Sequence, residues 1–188
     1  MKKTRLVGAL LSVFILAISI PTSAFADFFA GGRSSAKFNA YYDSSVVTYG
    51  YEGIYDTARA SWGGISSNVA IGKTTSSSGL PDKYYVGFSA DPTFLGLSSY
   101  YDANGNPVNN NVPRAFTTFA SYNNNLIVYE SPGSSAVRIS NAIHELGHTL
   151  SLAHTTQSGI TDSVMFQGVQ TIGPQQYDKN QLKAKWGN

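Results

Sequence analysis

The chain has 188 residues, with 13 Lys and Arg, 11 Asp and Glu, three His and no Cys. Lack of cysteine excludes disulfides, a thiol nucleophile, thiolate-ligated metal and a lipid anchor on sulfur. Beyond a basic N-terminal "MKKTR", the basic residues are scattered with no run, which argues against nucleic acid or an anionic membrane as partner.

Residues 1–26 read as a secretory leader. "MKKTR" is basic, "LVGALLSVFILAISI" is apolar, and "TSAFA" places small residues at Ala24 and Ala26. The apolar run is short of the about 20 residues that a membrane span needs. Cleavage after Ala26 is expected, giving a secreted, extracellular chain with no membrane attachment. Removing Lys2, Lys3 and Arg5 leaves ten basic against eleven acidic residues, a formal charge of −1. Residues 27–35 read as a short solvated tail or pro-segment. Residues 36–188 suit one monomeric domain with a sizeable core.

In chain order, Ala36–Tyr42 alternates and carries aromatics, as a strand does. Tyr51, Ile54, Tyr55, Ala58 and Trp62 then fall on one helical face, with Thr48 as the expected cap and Gly63-Gly64 as the stop. "NVAIGK" and "KYYVGFSA" read as two further strands around the turn-rich "TTSSSGLPD". From Phe94 to Glu130, "FLGLSSYYD", "RAFTTFASY" and "NLIVYE" suggest a mainly β region punctuated by "ANGNPVNNNVP" and "NNN". "SSAVRISNAIHELGHTLSLAH" is a second, apolar helix, buried through Val137, Ile139, Ala142, Ile143, Leu146 and Leu150. A short closing helix follows in "YDKNQLKAKWG", where Asp178 and Gln181 are spaced as a capping box and Gly187 is the stop.

All three histidines lie in "HELGHTLSLAH", residues 144–154. Helical residues four apart lie about 40° and about 6 Å from one another, so His144 and His148 can share a metal ion. Glu145 is about 100° round from His144, beside the metal rather than on it. This H-E-x-x-H spacing binds zinc through two neutral imidazoles and leaves the glutamate to handle the proton of the attacking water. Zinc wants a third protein ligand. No glutamate follows Glu145, and Asp162 and Asp178 are the only later carboxylates, so His154 is the candidate. In an unbroken helix it would sit about 9 Å beyond His148 and about 120° off its direction. The helix must therefore end between them, with residue 151 as pivot.

The stretch resembles the H-E-x-x-H-x-x-G-x-x-H signature of metzincin zinc peptidases, in their matrixin branch and its secreted bacterial relatives, with Met165 of "SVMF" as the Met-turn methionine. The resemblance implies an α+β, zincin-like single domain. It would have a twisted, mainly parallel sheet of about five strands, an N-terminal helix, a central zinc-binding helix and a C-terminal helix. It implies one catalytic Zn2+ on His144, His148 and His154, with Glu145 as general base and Met165 as an apolar floor. The partner would be a protein or peptide substrate, extended along Phe94–Asp102, with the pocket after the scissile bond around Phe166–Val169. The chain departs from the pattern at Ser151, where the family has a glycine that usually adopts a positive φ; an L-residue enters that region at a cost of about 1–2 kcal/mol. No histidine is spare for the second, structural zinc of the animal enzymes. Asp102, Asn104 and Asn106 alternate as Ca2+ ligands do, but Pro107 stands where a calcium loop wants glycine, which favours a plain turn. An idle, zinc-containing secreted binding module is the alternative, and Glu145 argues against it because a purely structural site has no use for it.

Overall fold

In the computed structural model, residues 27–188 are described; the leader expected over residues 1–26 lies outside them. The chain forms one mixed α/β domain around a six-stranded sheet. The strands are β1 (Lys37–Tyr42), β2 (Ala70–Thr74), β3 (Asp82–Gly87), β4 (Gly96–Tyr101), β5 (Pro107–Val108) and β6 (Phe116–Tyr122), in the order β2-β1-β3-β6-β4-β5. The β1/β2, β1/β3 and β3/β6 pairings are parallel. The β4/β6 and β4/β5 pairings are antiparallel. Six strands replace the expected five or so because β5, only two residues long, forms inside a segment that reads as turn punctuation. It pairs with Tyr100 and Tyr101, so among the described residues the outer edge of β4 from Gly96 to Ser99 has no neighbouring strand.

Among the described residues five helices accompany the sheet: α1 (Ser44–Thr48), α2 (Glu52–Trp62), α3 (Asn123–Leu126), α4 (Ala136–Thr149) and α5 (Gln176–Trp186). The apolar face expected for α2 is buried: Tyr51, Ile54, Tyr55, Ala58 and Trp62 all lie in the core. Its start differs from expectation. Thr48 ends α1, which is capped by Asp43 accepting from the Ser45 amide, and Gly50 at φ 69° turns the chain before α2 begins. Helix α2 packs on α4, and the Trp62 indole donates to the Ile143 carbonyl at 3.0 Å. Helix α4 lies against β6 and β4. Tyr55, Tyr84 and Phe119 pack together, Tyr55 edge-on to the other two, with ring centroids 4.2–5.8 Å apart.

Three further expectations are corrected. "NLIVYE" is not a strand: it forms α3 and a 3-10 turn, Ile127–Tyr129, whose side chains are exposed. Asn125 explains this, since its amide donates to the Asp91 and Phe94 carbonyls at 2.7 Å each and ties the turn to the loop before β4. Asp178 does not cap α5 as its first residue; Gln175 does, and Asp178 is the third-position partner of that capping box. Residues 27–35 are not a solvated tail. Phe28 bridges Leu152, Gly32 bridges Pro113, and the Asp27 carboxylate accepts from the Tyr177 hydroxyl at 2.7 Å. Asp27 is thereby held on α5 and not on the histidines. Among the described residues no helix is long and apolar enough to cross a membrane.

Candidate metal centre

Helix α4 carries His144, Glu145 and His148, and the chain after it returns His154 to them. The Nε2 atom of His154 lies 3.2 Å from Nε2 of His148 and 3.2 Å from Nε2 of His144. The other ring nitrogens are fixed by main chain: His144 Nδ1 donates to the Val164 carbonyl at 2.8 Å, and His148 Nδ1 to the Leu152 carbonyl at 2.9 Å. A carbonyl accepts only, so both Nδ1 atoms carry the hydrogen and both Nε2 atoms present lone pairs. Burial holds all three imidazoles below their ordinary pKa, His144 down to about 4, so they are neutral near pH 7. Among the described residues this is the group of three or more His, Cys, Asp or Glu side chains able to hold a metal ion. At the alternating Asp102, Asn104 and Asn106, the Asp102 carboxylate accepts from the Asn104 and Asn106 amides and the Asn106 side chain, within its own turn.

The helix ends where the reach of His154 requires. Leu152 N donates to the Gly147 carbonyl at 2.9 Å and Ser151 N to the His148 carbonyl at 3.0 Å, a Schellman termination with Ser151 at the left-handed position, φ 70°. Serine there is fully buried. Residues 27–29 brace the far side: Phe29 N donates to the Ser151 carbonyl at 2.8 Å, and Ala153 N to the Asp27 carbonyl at 2.9 Å. The Phe29 ring stacks on His148 at 5.7 Å.

Met165 lies beneath α4. A Cβ added to Gly147 would fall 2.3 Å from the Met165 sulfur, so the glycine lets the turn press against the helix between the ligands. Asp178 anchors that turn from α5, accepting from the Ser163 hydroxyl at 2.5 Å and the Val164 amide at 2.9 Å. Because the Val164 carbonyl in turn holds His144 Nδ1, this carboxylate orients a histidine from a distance. In the sequence, Asp178 reads only as a cap and as a later carboxylate. An acid three residues into a polar closing helix was the available signal.

Glu145 is buried at 5% exposure, and burial pushes its carboxyl up to about 7, opposed by a hydrogen bond from Ser98. The Ser98 hydroxyl donates to Glu145 Oε2 at 2.7 Å, and a Cβ on Gly96 would lie 2.3 Å from Oε1. Strand β4 thus leaves room for the carboxylate at one residue and holds it two residues on. Nothing in the sequence singles out Ser98 among so many serines.

A cleft of about 490 Å3 opens over these groups. Its upper side is Phe94–Ser98, its floor is α4, and its lower side is Gln167–Gln170; Leu126, Val137 and Val164 line the interior. The wall expected at Phe166–Val169 is thus shifted by one: Phe166 is not in the lining and Gln170 is. Gln170 bends inward because its amide donates to the Phe166 carbonyl at 2.6 Å. Apart from Glu145 and the histidines, among the described residues the lining has no charged or titratable side chain except the Tyr100 phenol. No protein-family model matches the chain, and no curated protein matches it significantly. Three histidines close enough to hold a metal ion, a buried carboxylate beside them and a neutral cleft above thus meet at one place.

Proposed function

We propose that the chain is a secreted zinc endopeptidase of the metzincin type, matrixin branch, with His144, His148 and His154 as ligands and Glu145 as general base. The observation that carries this reading is the meeting of three imidazole Nε2 atoms, two of them 3.2 Å from the third, with a buried glutamate next in sequence to the first. The donor set fits zinc: three neutral imidazoles, two with their second nitrogen on a carbonyl, leave a fourth position open as catalytic sites do. When bound, zinc supplies a Lewis acid that lowers the pKa of water and polarises a carbonyl oxygen. The protein's own part falls first to Glu145. With Oε2 held by Ser98, Oε1 accepts a proton from the attacking water and passes it to the leaving amine nitrogen. A carboxyl near pH 7 in affinity can do both.

The free edge of β4 supports an extended peptide as substrate. Main-chain groups of Gly96–Ser99 that no strand pairs are available to a substrate backbone, adding a strand to the sheet. Leu126, Val137 and Val164 favour an apolar side chain inside the cleft, and the lack of a charged wall offers nothing to an ionised one. The leader pattern of residues 1–26 supports export. The test is cleavage of an unfolded protein by the purified chain lacking residues 1–26. Turnover should stop with a zinc chelator, return with zinc, and be lost in Glu145→Ala. Turnover that survives both the chelator and Glu145→Ala would end the reading.

A further inference from the structure

We propose that Arg114 is a positioning residue for the third histidine, and that Arg114 and Ser151 act as a pair that takes over the work of a glycine at residue 151. This inference rests on the reading of the three histidines as metal ligands.

Arg114 lies two residues before β6 and is buried at 5% exposure. Its Nη2 atom lies 3.0 Å from each of three acceptors: the His148 carbonyl, the Thr149 carbonyl and the Ser151 hydroxyl oxygen. Two N–H groups serve three oxygens, so one bond is shared. The first two acceptors belong to the last turn of α4, where the helix dipole is negative, so a buried cation is well placed. The third belongs to the one non-glycine residue of the α4 termination at positive φ. A cap of this kind normally relies on glycine because glycine alone has no steric cost there. Here the side chain that creates the cost also provides the anchor.

The surroundings are built for that side chain. A Cβ on Gly32 would lie 2.6 Å from the Ser151 hydroxyl oxygen, so the glycine of the bracing segment leaves the hydroxyl its space. The Gly32 carbonyl accepts from the Arg114 amide at 3.0 Å, tying the same two neighbours by main chain. Arg33, next in sequence, pairs with buried Asp82 at 2.6 Å. The Arg114 guanidinium also lies over the Tyr100 ring, 4.5 Å from its centroid, on the strand that borders the cleft. The direction in which the chain leaves Ser151 decides where His154 Nε2 arrives. A guanidinium that grips both the helix end and the pivot sets that direction.

The experiment measures Zn2+ affinity by chelator competition and the Co2+ visible spectrum for wild type, Arg114→Met, Ser151→Ala, Ser151→Gly and Arg114→Met/Ser151→Gly. Circular dichroism of each metal-free chain is the folding control. Arg114→Met should weaken Zn2+ binding about tenfold or more and alter the Co2+ spectrum, as loss of an outer-shell partner does. Ser151→Gly should leave both unchanged, and adding it to Arg114→Met should recover most of the loss, because glycine needs no anchor. An Arg114→Met chain that folds and binds both metals as wild type does would overturn the proposal while leaving the ligand reading intact. Should Arg114→Met fail to fold, Ser151→Ala decides: weaker binding than Ser151→Gly supports the pair, and equal binding overturns it. A wild-type chain that binds neither metal would overturn the ligand reading and this inference with it.

Discussion

The turn from Thr149 to His154 and the wall from Gln167 to Gln170 border one cleft and are built in opposite ways. Thr149, Leu150, Ser151 and Leu152 are buried, and main-chain bonds reach them from residues 27–29 and from α4 itself. Gln167, Gly168 and Val169 are exposed, and Gly168 sits at φ 104°. Gln170 alone tethers that wall, through the Phe166 and Val164 carbonyls. Under the proposed function, ligand geometry falls to the buried, hydrogen-bonded part of the chain and substrate contact to the exposed part. A metal site tolerates little misplacement, whereas a peptide pocket gains from adaptability.

Substitutions sharpen this contrast. The largest effect expected is on turnover: Glu145→Gln should lower kcat by about 10²–10⁴-fold, the share usual for general acid–base catalysis, while zinc content by metal analysis stays the same. Loss of a ligand comes next. His154→Ala should retain the helical spectrum of the metal-free chain and lose tight zinc binding in a chelator titration, since only two imidazoles remain. Asp178→Ala tests the rigid side at a distance. It strands the Ser163 hydroxyl and the Val164 and Gln175 amides, and should cost about 3 kcal/mol in denaturant unfolding, with His144 loosened as well.

The pH response of the metal-free chain separates two neighbouring groups. His144 is held down to about 4 in the folded chain against 6.5 ordinarily, so the unfolded chain binds more protons between those values and stability falls as pH drops through them. Glu145 runs the other way: raised to about 7 from 4.5, it contributes stability at low pH that is lost as pH rises toward 7. Metal-free Glu145→Gln lacks the second effect. Its melting temperature should therefore fall more steeply than wild type's below pH 6.5, and matching slopes would contradict the assignment. The smallest effect belongs to the open wall. Val169→Ala should move unfolding free energy by less than about 0.5 kcal/mol and leave zinc affinity alone, while changing KM among peptides that differ after the scissile bond.

The legible part of the site is the part set by local spacing. His144 and His148 follow from a four-residue interval on an apolar helix. His154 and the break at Ser151 follow from what an unbroken helix cannot reach. The faces of α2 and α4 follow from periodicity, and the expected residues are buried save Ile139, which is half-buried. What escaped comes from residues far apart in the chain. Arg114 meets Ser151 across 37 positions, Ser98 meets Glu145 across 47, and Asp27 meets Tyr177 across 150. No periodicity encodes such meetings. Local competition misled elsewhere: the asparagines at 123–125 turned an apolar run into a helical turn, and Pro107 joined a strand of two residues. The bracing role of residues 27–29 was illegible for a further reason, because their main chain, not their side chains, does most of it.

The account stands most directly on what the three histidines hold. X-ray absorption at the zinc edge, on the purified chain lacking residues 1–26 and on its His154→Ala variant, would read this. About one zinc per chain is predicted, with three imidazole nitrogens at about 2.0–2.1 Å and a light-atom fourth ligand, and one imidazole fewer in the variant. A wild-type chain that takes up no zinc, or a coordination shell that His154→Ala leaves unchanged, would contradict it.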